Sequence, residues 1–299
     1  MNSNSDFDEN YIKKLLPERA EDSHKGTFGH VLNIAGSGFY SGAAYFSSMA
    51  SLKVGCGRST LASGNTVITA VSALSPDIIL LPLEETTSKT SKTISLKAAK
   101  TLEPLLKNYQ AISVGSGLST DKEVAKFFKR LLESLRLSET PVVIDADGLN
   151  MLSTLKINEV EKLPLNTILT PHPMEMSRLM KVSVDNILLQ PEFWAKKCCE
   201  KYDCITILKT HKTVVSDNRG HVYINNTGNS ALAKGGSGDV LTGMITGFLA
   251  SGVKPFDAAI LAVYLHGKTG ELASKELNEY SVLASDLLDY IHLAIKELI

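Results

Sequence analysis

The chain has 299 residues, 43% of them hydrophobic and 21% charged, which excludes a disordered chain and provides for an ample core. Its 31 Lys and Arg balance 32 Asp and Glu, so no long-range field draws in nucleic acid or an anionic membrane, and any recognition of phosphate has to be local. No apolar run approaches the ~18 residues of a membrane span, and the polar, acidic stretch Met1 to Asn10 lacks the form of a secretory signal. A cytoplasmic protein with neither a membrane nor a nucleic acid as partner is expected, its first ten residues a mobile tail. Cys56, Cys198, Cys199 and Cys204 form no C-x-x-C pair and no metal-ligand spacing with histidine, as expected of reduced thiols.

In chain order, a strand is expected at His30 to Ala35, a helix at Ser41 to Val54, and strands at Ser59 to Ala62 and Ile78 to Leu81. Ser88 to Lys97, rich in Ser, Thr and Lys, reads as a solvated loop. A helix over Leu96 to Leu106, a strand at Ala111 to Val114 and a helix at Lys122 to Leu135 follow. Strands at Val142 to Ala146 and Thr167 to Thr170 precede helices at Met174 to Met180 and Pro191 to Tyr202. Ile205 to Lys209 is a further strand, and Thr213 to Ser216 with Val222 to Asn225, around Asp217-Asn218-Arg219-Gly220, reads as an edge hairpin. Helices at Val240 to Ala250, Pro255 to Ala273 and Ala284 to Leu298 complete the chain. This alternation predicts an α/β fold with a mostly parallel sheet covered on both faces, and with no repeat or linker a single domain over residues 1–299 is expected.

Ligands of open α/β sheets sit beyond the C-terminal strand ends, and the residues that carry chemistry fall there. Gly36-Ser37-Gly38 follows the first strand, Gly115-Ser116-Gly117 the fourth, Asp145 and Asp147 the fifth, and Thr170-Pro171-His172-Pro173 the sixth. The first loop is not a dinucleotide fingerprint, since Ser41 stands where a third glycine belongs and no acidic residue closes the next strand. Asp145 suits an outer-sphere Mg²⁺ or a ribose hydroxyl, and equally a structural role; Asp147 serves the site or caps a helix before Gly148. Two prolines stiffen the loop that carries His172. Glu175 reads as a first-turn dipole residue and His266 as a hydrogen-bonded core histidine.

Lys234-Gly235-Gly236-Ser237-Gly238-Asp239 runs straight into an apolar-periodic helix. Its glycines permit positive φ and close approach, and the first N–H groups of the helix have no intrahelical acceptors, so the segment is built to hold an anion, usually phosphate. Gly243 and Gly247 offer a close-packing face, and Gly252 a C-terminal stop. By itself Asp239 is open between a residue that complements the dipole for ~0.3–1 kcal/mol and a base. A carboxylate is unfavourable beside phosphate unless it has a proton to remove, which favours the base.

In this order, His24-Lys25-Gly26-Thr27-Phe28-Gly29, Asp145-Ala146-Asp147-Gly148-Leu149-Asn150, Thr170-Pro171-His172-Pro173-Met174-Glu175 and Gly235-Gly236-Ser237-Gly238-Asp239 form a specific set. It resembles the ribokinase-like superfamily and, within it, the ADP- or ATP-dependent NAD(P)H-hydrate dehydratases, over nearly the whole chain. The resemblance implies a three-layer α-β-α fold and repair of hydrated NADH and NADPH (NAD(P)HX) by nucleotide-driven loss of water from position six of the damaged ring. It implies that Asp239 is the base, that Gly235, Gly236, Ser237 and Gly238 form the anion hole, and that Ala43, Gly117, His172 and Asp239 contact the hydrate. Lys209, Thr210, His211, Lys212 and Thr213, with Gly238, match a nucleotide-contacting segment usually written Lys-Gly-Ala-His-Thr, from which Thr210 and Lys212 depart. ADP or ATP is the implied co-substrate, with Mg²⁺ and no implied ligand set for it. A homo-oligomer, often a tetramer, is implied, and the epimerase that many bacterial members carry as a fused domain would here be a separate protein.

The chemistry agrees with the resemblance. Hydroxide is a poor leaving group and a phosphate ester a far better one, so the reaction needs a base for the hydroxyl and a hole for the transferring phosphoryl group. Two alternatives keep the same loop: a small-molecule kinase acting on a vitamin-precursor alcohol, whose phosphorylated product would persist, and a nucleotide-binding module without catalysis.

Overall fold

The computed structural model describes residues 7–88, 91–136, 138–155 and 163–299. Of the expected tail over residues 1–10, residues 1–6 lie outside the described residues, and the rest is built into the fold. Phe7 is 8% exposed and meets Tyr11, Tyr223 and Phe256 edge-on, because an apolar ring gains more from burial than the chain end loses in freedom. Asp8 accepts the Tyr11 N–H at 2.8 Å and caps α1 (Glu9–Lys14).

There follow β1 (His30–Ile34), α2 (Ser41–Lys53), β2 (Arg58–Gly64), α3 (Asn65–Ser72) and β3 (Ile79–Leu83). A small antiparallel ribbon of β4 (Glu85–Thr87) and β5 (Lys92–Ile94) leads to α4 (Ala98–Leu102), a 3₁₀ turn at Leu106–Asn108, β6 (Ala111–Val114), α5 (Lys122–Leu135) and β7 (Val142–Ile144). Then come α6 (Asp147–Thr154), β8 (Ile168–Leu169), α7 (Pro173–Met180), α8 (Val184–Leu189), α9 (Pro191–Tyr202) and β9 (Ile205–Leu208). β10 (Val214–Ser216), β11 (Val222–Ile224), α10 (Ser237–Ala250), α11 (Pro255–Leu277) and α12 (Ala284–Leu298) end the chain.

Nine strands form one sheet in the order β11-β10-β9-β8-β7-β6-β1-β2-β3, parallel from β9 to β3. β10 runs antiparallel to both of its neighbours and makes the expected edge hairpin with β11. Alternate strand residues point to opposite faces, and each face has its own core. Val31 and Leu61 join one core with residues of α2, α10, α11 and α12; Leu32 and Ile112 join the other with residues of α4, α5, α6, α7 and α9. The result is the expected three-layer α-β-α arrangement.

Two glycines let α10 lie directly on α2. A Cβ on Gly243 would stand 2.2 Å from the Ser47 carbonyl oxygen, and one on Gly247 2.7 Å from that of Ser51. Gly252, at φ +88°, then ends α10.

The Ser88 to Lys97 expectation is corrected: residues 89–90 lie outside the described residues, but β5 pairs with β4, and Thr93, Ile94 and Ser95 are buried. Ile94 fills the second core beside Leu83, and that packing outweighs the polar composition of the segment. No helix among the described residues is long and apolar enough to cross a membrane.

Candidate active site

Because β1, β2, β3 and β6 to β9 run parallel, their C-terminal ends share one rim, and the four expected loops all lie on it. The Gly36 N–H donates to the Ser116 carbonyl at 2.8 Å, tying the loop after β1 to the loop after β6. Gly115, at φ +128°, admits no side chain: a Cβ there would stand 1.9 Å from the Asp145 carbonyl oxygen. Between the two carboxylates, Ala146 takes φ +47° and ψ −116°, a conformation that costs a non-glycine residue on the order of 1–3 kcal/mol. This kink turns β7 into α6. Ala146 holds the cap position, so Asp147 takes the first helical turn and spends its Oδ2 on the Ser119 N–H at 2.8 Å.

Asp145 is 1% exposed and its oxygens are engaged from within. Oδ1 accepts from the Thr170 hydroxyl at 2.6 Å and from Lys209 Nζ at 3.0 Å, and Oδ2 from the Thr242 hydroxyl at 2.8 Å. Burial works to raise its pKa, but Lys209 and the three donors outweigh it and hold the group below the usual carboxylate range. Lys209 is raised in turn, since the charges of Asp145 and Glu175 outweigh its own desolvation. Asp145 thus anchors Lys209 from within the fold and at the same time lines the cleft. Among the described residues no three of His, Cys, Asp or Glu come together as a metal site.

His172 caps α7 with its own ring. Nδ1 accepts the N–H groups of Met174 at 3.1 Å and Glu175 at 3.4 Å, while Glu175 Oε2 accepts the His172 N–H at 2.9 Å. With Nδ1 occupied as an acceptor, the neutral ring carries its proton on Nε2, 3.4 Å from Glu175 Oε1. Burial, followed by the charge of Lys209, lowers the His172 pKa; burial raises Glu175 to about 7. Glu175 is thus a buried member of the charged cluster as well as the first-turn residue its position suggested.

Of the loop glycines only Gly236 has positive φ, +93°, and a Cβ on it would meet Ala284 at 2.7 Å and Phe46 at 2.8 Å. Helix α10 starts at Ser237, three residues earlier than its apolar periodicity indicated, so the N–H groups of Gly238 and Asp239 lie in its first turn without intrahelical acceptors. Asp239, half-buried there, has its pKa raised to about 6 by burial and then by the charge of Asp145, with Ser116 and Lys209 opposing. His266 is buried and bonded, as expected, and its partner is Ser237 of this loop.

These groups face a cleft of about 890 Å³. Of the expected site residues, His172, Lys209, Thr210, His211, Thr213, Gly236, Ser237, Gly238 and Asp239 line it, and Ala43, Gly117, Lys212 and Gly235 do not. Ala43 and Gly117 adjoin each other on the flank next to Ser116, where a Cβ on Gly117 would be 3.0 Å from that of Ala43. Lys212 is exposed, on a turn in which its carbonyl accepts from the Thr210 hydroxyl at 2.6 Å. The far wall, Asn225, Thr227, Gly228 and Asn229 after β11, was not anticipated, although a run of Asn, Thr and Gly after a strand is a loop signal.

A glycine-loop helix start, opposed by buried carboxylates on the strand-end rim of a three-layer sheet, defines a ribokinase-like protein equipped to handle a phosphoryl group. The family model for NAD(P)H-hydrate dehydratases matches residues 31–293, and the chain belongs to that family. The ADP-dependent (S)-NAD(P)H-hydrate dehydratase of Bacillus subtilis is 32% identical over 283 residues, 95% of this chain and 95% of that protein. The bifunctional NAD(P)H-hydrate repair enzyme of Moorella thermoacetica is 35% identical over 289 residues, 96% of this chain and 53% of its own length. The chain thus spans about half the length of the bifunctional relatives it matches. The crystal structure of the ADP/ATP-dependent NAD(P)H-hydrate dehydratase from Bacillus subtilis, co-crystallised with ATP/Mg²⁺, superimposes with a TM-score of 0.84 at 30% identity, covering 98% of both chains.

Proposed function

We propose that this chain is a cytoplasmic dehydratase that returns hydrated NADH or NADPH to the intact cofactor, with ADP or ATP as co-substrate and phosphate as product. The observation that carries this reading is Asp239: a carboxylate with a pKa near 6, placed among the free N–H groups of an anion-binding helix start. A group so tuned is ionised at neutral pH and still basic enough to accept a proton.

In this reading Asp239 takes the proton of the hydrate's ring hydroxyl as its oxygen bonds to the terminal phosphorus of the nucleotide and the bond to the nucleotide's leaving oxygen breaks. The backbone of Gly235 to Gly238 receives the charge that develops on the phosphoryl oxygens. The ring nitrogen's lone pair then expels phosphate as the carbon–oxygen bond breaks, and loss of a proton from the neighbouring ring carbon to water completes the carbon–carbon double bond and returns the lone pair to nitrogen. His172 holds the hydrate in the cleft, with Ala43 and Gly117 on its flank, and Lys209, Thr210, His211 and Thr213 border the nucleotide, with Lys212 on the exposed turn beside them. Bound with the nucleotide phosphates, Mg²⁺ would offset their charge. A homotetramer and an epimerase as partner activity complete the reading.

Incubating the protein with hydrated NADH, Mg²⁺ and either nucleotide tests it, with recovery of NADH and stoichiometric phosphate as the expected result. A phosphorylated hydrate that persists, or an inert mixture, overturns it; nucleotide-dependent phosphorylation of a vitamin-precursor alcohol would install the kinase reading instead.

A further inference from the structure

His266 lies on α11, outside every motif that identifies the family, yet it is 8% exposed and lines the cleft. Its Nε2 is 3.0 Å from the Ser237 carbonyl oxygen and 3.1 Å from the Ser237 hydroxyl oxygen. Ser237 is the first residue of α10, and Gly236 before it has no side chain to cap the helix. The point where the anion loop enters α10 is therefore held from outside, by a different helix.

The two distances settle the ring's protonation. A bare Nε2 would set its lone pair against that of a carbonyl oxygen at 3.0 Å, which repels; a proton on Nε2 makes the same contact a hydrogen bond. The doubly protonated ring is no alternative near neutral pH, because burial holds the His266 pKa down to about 4. With Nε2–H donating to both oxygens, the Ser237 hydroxyl is an acceptor toward His266, and its own proton is free to point elsewhere. The cleft is the side on which the anion would lie.

We propose that His266 is a positioning residue that, as its Nε2–H tautomer, fixes Ser237 so that the serine hydroxyl donates a hydrogen bond to the phosphoryl group bound at this loop. His266 acts through Ser237, adding one side-chain donor to the backbone N–H groups of the anion hole.

The kinetic part of the test rests on the dehydratase reading, and the spectroscopic part does not. Nitrogen-15 NMR of the full chain at neutral pH should find His266 protonated on Nε2 and bare on Nδ1; the opposite tautomer overturns the proposal whatever the enzyme's reaction. Ser237→Ala should lower kcat by about 10²-fold with KM for the nucleotide changed far less, as for loss of one oxyanion donor. His266→Leu should lower kcat to a similar extent, and the double variant should be no slower than Ser237→Ala. His266→Gln, whose amide nitrogen reaches the Nε2 position, should restore part of the loss, which a purely packing role would not give. Independent, multiplying losses, or a His266→Leu variant that turns over like the parent, overturn the proposal.

Discussion

Lys209 donates to Asp145 Oδ1 at 3.0 Å, and threonine hydroxyls take the remaining room on that carboxylate. The pair is interior: the Asp145 side chain is 2% exposed and that of Lys209 21%. Removing one member of such a pair leaves a desolvated charge without its partner, which costs about 3–5 kcal/mol. Asp145→Asn is therefore expected to lower unfolding free energy by about that amount in urea titration at pH 7. A loss below about 1 kcal/mol would show that water reaches Lys209 and that the anchor is dispensable.

The proposed mechanism ties activity to pH through Asp239. As its base, Asp239 must be ionised, so kcat/KM should rise with pH through about 6 and then level off. Asp239→Asn should retain nucleotide binding by calorimetry and lose ~10²–10⁴ in turnover. A variant within about tenfold of the parent removes Asp239 as the base.

The same group ties stability to pH. Its folded pKa, about 6, is raised above the ordinary value of about 4, so the folded state binds the proton more tightly than the unfolded chain does. The parent's stability from this group is full below about pH 4 and is lost as pH rises through about 6. Asp239→Asn escapes that loss, so it should match the parent at pH 4 and exceed it by on the order of 1–3 kcal/mol at pH 8. Urea unfolding at the two pH values checks the sign; a variant less stable at pH 8 refutes it.

The two glycines that open the loop should not respond alike. Gly236→Ala imposes positive φ on alanine, about 1–2 kcal/mol, and thrusts a methyl group against Ala284 and Phe46, so nucleotide affinity should fall at least about tenfold. A Cβ on Gly235 meets nothing within 4 Å, and Gly235→Ala should bind nucleotide within about twofold of the parent. Equal losses in both would mean that flexibility of the loop, and not the shape of Gly236, is what the site requires.

Every strand of the main sheet was legible in the sequence, because β-branched runs bounded by Gly, Pro and Asp carry a local signal. The helices at Lys122–Leu135 and Pro191–Tyr202 were legible to the residue, since periodicity and an N-terminal Asp or Pro mark them. What escaped depends on partners distant in sequence. β5 is a strand because Ile94 finds the second core, and α1, α3 and α8, six to eight residues each, are too short for periodicity to register. At the cleft, a proline-flanked loop after a strand drew attention to His172, and a glycine-rich helix start to Asp239. The Asp145–Lys209 pair, 64 positions apart in sequence, and the His266–Ser237 contact, 29 apart, could be found only by folding the chain.

The ring of His172 begins α7 with the lone pair on Nδ1, and that is the lone pair an incoming proton would claim. Acid therefore competes with a helix for one nitrogen. Burial and the Lys209 charge depress the folded pKa below the ordinary ~6.5, so as pH falls under that value the unfolded chain gains the proton first and the fold loses ground. Glu175 rides on the same turn, its carboxylate bonded to the His172 N–H, so the loosening would reach the charge cluster beneath the cleft. Below neutrality, the start of α7 and the buried charges around Lys209 would therefore weaken together through one imidazole.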